Sequence, residues 1–518
     1  MIKIIPQPQQ FTIIDDKTFS FKSNMNIDYK ENISVAVHNL INYLSKNNKI
    51  ELGTNTLNAS IVFINDISLN DEGFILDIQE KVIVKYKDNA GALYAVECLK
   101  QLICNYNNKI PHLNIIDYPK LKHRSFMLDS GRYYQKPYEI YKFIDLLLLH
   151  RINYFHWHLT EDQGFRVEID SYPLLHKKGS YRSHTNFNSI PHSGYYTKED
   201  IRAIVKYASE RNITIIPEFD IPGHTRSLIA CYPELSCFNR DLPVATHWGV
   251  KHDILCVGKE ITYTIVKAII DELCDLFPGE YFHLGGDEAV KTRWKLCPNC
   301  QAKMKELGLS DENQLQAYFL NEIAEYLQEK GKKVIIWNEV EDTKICNKDI
   351  IWMTWNATKE IFSRLDRDNR KFINASSLPY YLDLPYYKDN TLEKVYDYEP
   401  TSEVKNSDLF IGAQASLWTE FVPNFKKAMN MAIPRLTAFS ERVWSNKKDY
   451  NLFMKNLPIY YQYLENNGYH NMKKISRCNS KFYGLLEHIW FGRRVFCWEG
   501  LHNEIDNAKV ARKYKSKK

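Results

Sequence analysis

Between Pro119 and about Ser445 the chain repeats one unit eight times: a short apolar run, a loop, then in most units an amphipathic segment. The short runs are Ser125 to Leu128, Tyr154 to Leu159, Thr214 to Phe219, Tyr281 to Leu284, Val334 to Asn338, Ile350 to Trp355, Lys371 to Ala375 and Leu409 to Ala413. Between them lie segments such as Glu139 to His150, Lys198 to Arg211, Ile261 to Leu276 and Glu312 to Lys330, with apolar residues at three- and four-residue steps. That is the period of a helix with one buried face. Eight alternations over this length predict an α/β fold, a parallel (β/α)8 TIM barrel over residues 119–448.

The flanks read differently. Residues 1–118 carry a β-rich run, Ser60 to Ile67, a hairpin from Phe74 to Tyr86 closed around Glu80, and a helix from about Ala90 to Cys104, which predict a small α/β accessory domain. Residues 449–518 predict a mainly helical C-terminal extension with a Lys-rich end. With 44% apolar residues the chain can build a large core, and a net charge of +5 with Lys and Arg spread along it gives no indication of nucleic-acid binding. Eleven cysteines without framework spacing point to a reducing compartment rather than a disulfide scaffold. The Met1-Ile2-Lys3-Ile4 start lacks a signal-peptide core, and no run approaches the roughly 18 apolar residues of a membrane span. As written the chain is expected to be cytoplasmic, or secreted or periplasmic if a leader was removed. Its oligomeric state is not legible.

A barrel places its chemistry after the carboxyl ends of the strands, and the unusual residues of this chain gather there. Asp129 and Arg132 follow the first strand, His156, His158, Glu161 and Asp162 the second, Asp220 and His224 the third. His283-Leu284-Gly285-Gly286-Asp287-Glu288 ends the fourth, and its two glycines suit close approach of a bulky substrate to the backbone. Trp337, Trp355, Tyr381 with Asp383, and Trp418 with Glu420 follow the later strands. Taken singly, each tryptophan reads as core packing and each carboxylate as a solvated turn; at successive strand ends they read as a ring around one pocket. Thirteen per cent aromatic residues fits either a large core or a stacking surface for a sugar-like ligand.

Five stretches occur in a recognisable order: Met127-Leu128-Asp129-Ser130-Gly131-Arg132, His156-Trp157-His158-Leu159-Thr160-Glu161-Asp162-Gln163-Gly164, Pro217-Glu218-Phe219-Asp220-Ile221-Pro222-Gly223-His224, the His-Leu-Gly-Gly-Asp-Glu run, and Gln414-Ala415-Ser416-Leu417-Trp418-Thr419-Glu420. Through them the chain resembles glycoside hydrolase family 20, the β-N-acetylhexosaminidases. The resemblance covers the barrel, and the N-terminal segment resembles the family's accessory domain. It implies exo-acting, retaining release of a terminal β-linked N-acetyl-D-hexosamine (GlcNAc or GalNAc) from a carbohydrate, the substrate's own acetamido oxygen acting as nucleophile. This is an exception to the two-carboxylate scheme.

On that resemblance Glu288 is the general acid and base, Asp287 orients the acetamido group and stabilises its charge, and His224 and Asp162 form a hydrogen-bonded pair behind Glu288. Arg132 binds sugar hydroxyls, although a salt bridge to Asp129 is an equal reading of the sequence. Trp337, Trp355 and Trp418 wall the pocket, Tyr381 donates to the acetamide oxygen in preference to its neighbour Tyr380, and Asp383 and Glu420 bind the sugar. Glu161 stands where many members carry Asp. The residues alone agree that Asp287 and Glu288 have different jobs, because neighbouring side chains on an extended backbone diverge.

Two other readings come from the residues. His156 and His158 lie on one face of a strand and could hold zinc with His224 and Asp287, as in a metal-dependent barrel hydrolase. A degenerate barrel could keep the tryptophans and bind sugar without cutting it. The family chemistry needs no cofactor and no metal. Cys297-Pro298-Asn299-Cys300 is a single CxxC without a second pair and reads as two reduced cysteines.

Overall fold

The computed structural model describes residues 3–54, 58–340, 345–402, 404–470, 481–495 and 499–515. Its centre is a closed barrel of eight parallel strands, His123–Asp129, Tyr154–His158, Thr214–Glu218, Tyr281–His283, Lys333–Trp337, Ile351–Thr354, Phe372–Asn374 and Phe410–Leu417. Helices Pro137–Leu149, Lys198–Ser209, Glu260–Leu276 and Glu312–Glu329 occupy the crossovers where the periodicity predicts them. Lys198–Ser209 begins at a reciprocal cap, Thr197 Oγ1 accepting from Asp200 N–H at 3.0 Å while Asp200 accepts from Thr197 N–H at 3.0 Å.

The eighth strand runs past its predicted end at Ala413 to Leu417. Polar Gln414 and Ser416 look like a strand end in sequence, but both face the barrel interior and are paired there. Ser125 Oγ donates to Gln414 Oε1 at 3.0 Å, Gln414 Nε2 donates to Ser416 Oγ at 3.2 Å, and His156 Nδ1 lies 3.2 Å from Gln414 Oε1. Satisfied in this way, buried polar groups are tolerated in a core. Gly412 is required by its neighbour: a Cβ there would meet the His123 carbonyl oxygen at 2.0 Å.

On the N-terminal side a seven-stranded sheet has the spatial order Gln10–Ser20, Lys109–Asp117, Phe74–Ile78, Val82–Tyr86, Ile61–Asn65, Met25–Asp28, Leu52–Gly53. The predicted hairpin is its centre, with Phe74–Ile78 antiparallel to Val82–Tyr86. The predicted helix spans Asn89–Asn105 and is capped by Asp88, which accepts from Gly91 N–H. This sheet is anchored to the barrel by buried charge. Arg151 pairs with Asp117 at 2.5 Å, and Asp117 also accepts from Trp444 Nε1–H at 3.0 Å.

The C-terminal residues form helices Tyr450–Asn466, Lys481–Val495 and Glu499–Lys515. The first lies between the accessory helix and the barrel, Tyr463 bonding Glu97 and Tyr460 donating to the Leu149 carbonyl. The other two reach loops at the barrel mouth. Phe491 packs on Phe421 with ring centroids 4.7 Å apart, Tyr514 stacks on Phe238 at 3.9 Å, and Asp506 accepts both terminal nitrogens of Arg240 at 2.8 and 2.9 Å. No helix among the described residues is long and apolar enough to cross a membrane.

Candidate active site

Below the pocket floor, at the carboxyl ends of the second, third and fourth strands, one carboxylate organises three imidazoles. Glu218 Oε2 lies 2.5 Å from His158 Nδ1 and 3.0 Å from His156 Nε2; Oε1 lies 3.2 Å from His283 Nδ1 and accepts from Trp337 Nε1–H at 2.8 Å. All of these side chains are buried. Burial opposes the Glu218 charge, but His158, His283 and His156 outweigh it and hold the carboxyl well below its usual range. The same pairing raises His158 against the pull of burial. His283 goes the other way, pushed down to about 4 chiefly by burial, and its Nδ1 accepts from Gly285 N–H at 2.9 Å. The sequence reading missed Glu218 as a site residue, although a carboxylate ending an apolar run was the available signal.

Above this floor the loops after the third and fourth strands lie against each other. Gly285 and Gly286 have φ of +66° and +95°, the left-handed region that glycine enters at least cost. What approaches Gly285 is not a substrate but Asp220: a Cβ there would sit 1.8 Å from Asp220 Oδ1, which accepts from Gly286 N–H at 3.1 Å. The glycines therefore serve to seat the third loop on the fourth. His224 and Glu288, with φ of +51° and +47°, are non-glycine residues held in the same region at the contact, the kind of backbone strain that collects at functional sites.

His224 connects the charged residues. Its Nε2 lies 3.5 Å from Glu288 Oε2 and 3.9 Å from Asp287 Oδ2. Its Nδ1 lies 2.7 Å from Glu161 Oε1 and 3.9 Å from Asp162 Oδ2. The pair predicted as His224 with Asp162 is thus a closer pair with Glu161, while Asp162 Oδ1 accepts from Arg226 N–H at 2.9 Å. The longer Glu side chain reaches the imidazole directly. Burial opposes charge on His224, but Glu161 and Asp220 raise its pKa well above the ordinary value. Glu161, despite burial, is lowered to about 2 by Arg132 and His224.

Arg132 makes the salt bridge to Asp129 that the sequence offered as one of two readings, and others beside it. Its guanidinium lies 3.1 Å from Asp129, 2.6 Å from Glu161 and 3.5 Å from Glu420, and over the Trp418 ring at 5.0 Å. Three carboxylates and a ring fix its fork at the pocket edge.

The two adjacent carboxylates diverge. Asp287 is mostly buried, with its side chain 15% exposed, and among the described residues its Oδ1 has no hydrogen-bond partner. Burial first, then Glu339 and Glu288, push it up to about 7 against the pull of His224. Glu288 is 42% exposed, and its backbone N–H donates to Glu339 Oε2 at 2.8 Å. Desolvation raises Glu288, but the hydrogen bond and charge of His224 prevail and lower it. Glu339, directly after the fifth strand, was not singled out in the sequence.

The opposite wall is aromatic. Trp337 lies 5.9 Å from Trp418, Tyr381 lies 6.1 Å from Trp418 and stacks parallel to Trp355 at 6.5 Å, all as ring centroids. Tyr380 points the other way, buried against Tyr398 and Phe439. Asp383 Oδ1 accepts from Trp418 N–H at 3.1 Å, and burial with Glu420 nearby pushes it up to about 8. All the predicted site residues except Asp162 thus meet at one mouth as a charged half and an aromatic half, with Asp162 just behind it. The predicted zinc set of His156, His158, His224 and Asp287 does not come together: His156 groups with Glu218 and His283, His158 with Glu218 and Asp220, and His224 with Asp220 and Asp287.

Comparison with known proteins bears on the family and the fold. The pattern of the glycosyl hydrolase family 20 catalytic domain matches residues 121–447, and that of the family's domain 2 matches residues 1–118. A β-hexosaminidase of Porphyromonas gingivalis is 36% identical over 495 residues, a match covering 88% of this chain and 62% of that protein; the chain thus spans less than two thirds of that relative. The crystal structure of a β-N-acetylhexosaminidase from Bacteroides fragilis superposes with a TM-score of 0.80 at 31% identity, covering 90% of this chain and 96% of the other. An exo-β-N-acetylglucosaminidase from Vibrio harveyi, solved with N-acetylglucosamine, gives a TM-score of 0.81 at 27% identity, covering 90% and 77%. The chain belongs to glycosyl hydrolase family 20, and its eight-stranded barrel is that family's catalytic domain.

Proposed function

We propose that the protein releases terminal β-linked N-acetylhexosamine from the non-reducing end of oligosaccharides or glycoconjugates, with retention, through an oxazolinium intermediate formed by the substrate's own acetamido oxygen. The observation that carries this reading is the divergence of Asp287 from Glu288. One carboxyl is sunk with an unpartnered oxygen, the other faces the mouth, and His224 lies between them. Such different surroundings support different roles for the two carboxyls.

The roles follow from the surroundings. A sugar seated over Glu288 excludes water from a carboxyl that is 42% exposed, and desolvation then raises its pKa against the hold of His224. In that state Glu288 protonates the leaving oxygen; as carboxylate it afterwards takes a proton from the water that opens the intermediate. Asp287 Oδ1 accepts from the acetamide N–H and stabilises the positive charge that develops on the nitrogen as its oxygen attacks the anomeric carbon. Tyr381, whose hydroxyl feels the charge of Asp287, donates to the acetamide oxygen. Trp337, Trp355 and Trp418 enclose the acetamido methyl group and the sugar face, and Arg132, Asp383 and Glu420 bind hydroxyls.

Glu288→Gln separates hydrolysis from binding. Turnover of an aryl N-acetyl-β-glucosaminide is expected to fall by about 10²–10⁴-fold while N-acetylglucosamine still binds by calorimetry. Retained turnover removes Glu288 from the acid role.

A further inference from the structure

Four cysteines outside the sugar site converge. Cys237 and Cys256 lie in the segment after the third barrel strand, and Cys297 and Cys300 in the segment after the fourth, Cys300 within the first turn of helix Pro298–Leu307. All four are buried, and their sulfurs lie within 4.8 Å of one another. The Sγ to Sγ separations are 3.6 Å for Cys256–Cys297, 3.6 Å for Cys256–Cys300 and 3.9 Å for Cys237–Cys300. A disulfide needs about 2.05 Å. Four thiolates at the corners of a tetrahedron around zinc, each about 2.3 Å from the ion, stand about 3.8 Å apart.

The backbone is shaped for the same purpose. Cys297 is the N-cap of helix Pro298–Leu307 and Cys300 lies in its first turn, so the CxxC spacing brings both sulfurs to one end of that helix. The segment after Cys256 presses on this turn at Gly258, where a Cβ would fall 2.4 Å from Cys300 N. Trp294 Nε1–H donates to the Leu255 carbonyl at 2.9 Å, fixing the two loops beside the cluster. The remaining described cysteines, 98, 104, 231, 274 and 346, join no such group.

We propose that Cys237, Cys256, Cys297 and Cys300 form a closed tetrathiolate zinc site that clamps the loop bearing His224 to the loop bearing Asp287 and Glu288. Soft thiolates in tetrahedral array select zinc over the hard cations, and four protein ligands leave no position for water or substrate, so the ion is structural. Zinc displaces the thiol protons on binding and contributes directly to folding of the two loops.

The test uses the full chain purified without added chelator. Elemental analysis after dialysis is expected to give about one zinc per chain. Titration of the native protein with an organomercurial should release that zinc into a colorimetric indicator in step with four thiols. Cys256→Ser and Cys300→Ser are expected to lose the metal and melt at lower temperature, while Cys98→Ser and Cys274→Ser retain it. Should the first two variants fail to fold, cobalt exchanged into the wild-type chain supplies the second readout: thiolate charge-transfer bands and intense tetrahedral d–d bands are expected. A metal-free protein with four freely titrating thiols and no cobalt spectrum overturns the proposal, as does a disulfide between any two of the four in the native protein.

Discussion

The loops after the third and fourth barrel strands meet in two places. At the barrel mouth, His224 faces Glu288 at 3.5 Å and Glu161 at 2.7 Å, a chain of ionisable groups whose outer member is 42% exposed. Further along the same loops, four buried sulfurs stand 3.6 to 3.9 Å apart in the measured pairs, with no charged side chain in the group. The first junction is open enough for a bound ligand to dry it; the second is buried. On the proposed roles the two junctions are complementary, because a general acid is useful only if its pKa can move while its position does not.

The charged junction is the one to break first. Asp287→Asn is expected to lower kcat on an aryl N-acetyl-β-glucosaminide by about 10²–10³-fold, since the amide cannot stabilise a positive acetamide nitrogen. The same variant should gain stability at alkaline pH. Asp287 is raised to about 7 in the folded protein from an ordinary 3.8, so its contribution is fully present below about 3.8 and is lost as pH rises through about 7. A melting-temperature comparison at pH 5 and pH 8 checks this: the variant should gain on the wild type at pH 8 relative to pH 5, and an equal offset at both contradicts the buried setting of Asp287.

Glu161→Gln probes the inner end of the chain. The charge of Glu161 raises the Glu288 carboxyl, so removing it lets that carboxyl fall further, while Asp220 still raises His224. A fall of about tenfold in kcat/KM is expected, about 1.4 kcal/mol, with the alkaline limb of kcat/KM, which reports the acid in the free enzyme, moving to lower pH. An unmoved limb would leave Glu161 a packing residue. On the aromatic side, Tyr381→Phe should cost up to about tenfold in kcat/KM, one hydrogen bond's worth, whereas Tyr380→Phe should leave kinetics unchanged because its ring faces Tyr398 and Phe439.

Much of this was legible because the informative residues are contiguous. A strand end brings Asp287 and Glu288, or Trp418 and Glu420, to the mouth whatever the rest of the chain does, so period and position place them. What escaped depends on distance across the fold. The choice between Glu161 and Asp162 as partner of His224 turns on the reach of one methylene. The purpose of Gly285 became visible only with Asp220 against it. The eighth strand looked shorter than it is because the partners of Gln414 and Ser416 come from other parts of the barrel. The cysteines show the same limit most clearly: Cys297 and Cys300 are a recognisable pair, but Cys237 and Cys256 are 19 residues apart in sequence and join them only through loop packing.

The most direct test of the account compares hydrolysis of a chromogenic N-acetyl-β-glucosaminide with that of the glucoside lacking the acetamido group, each with and without a brief chelator treatment. The account predicts turnover confined to the acetamido sugar and unchanged by chelator, since a buried tetrathiolate ion takes no part in the chemistry. Comparable turnover of the plain glucoside, or immediate loss of activity with chelator while the fold is intact, would contradict substrate-assisted catalysis by Asp287 and Glu288.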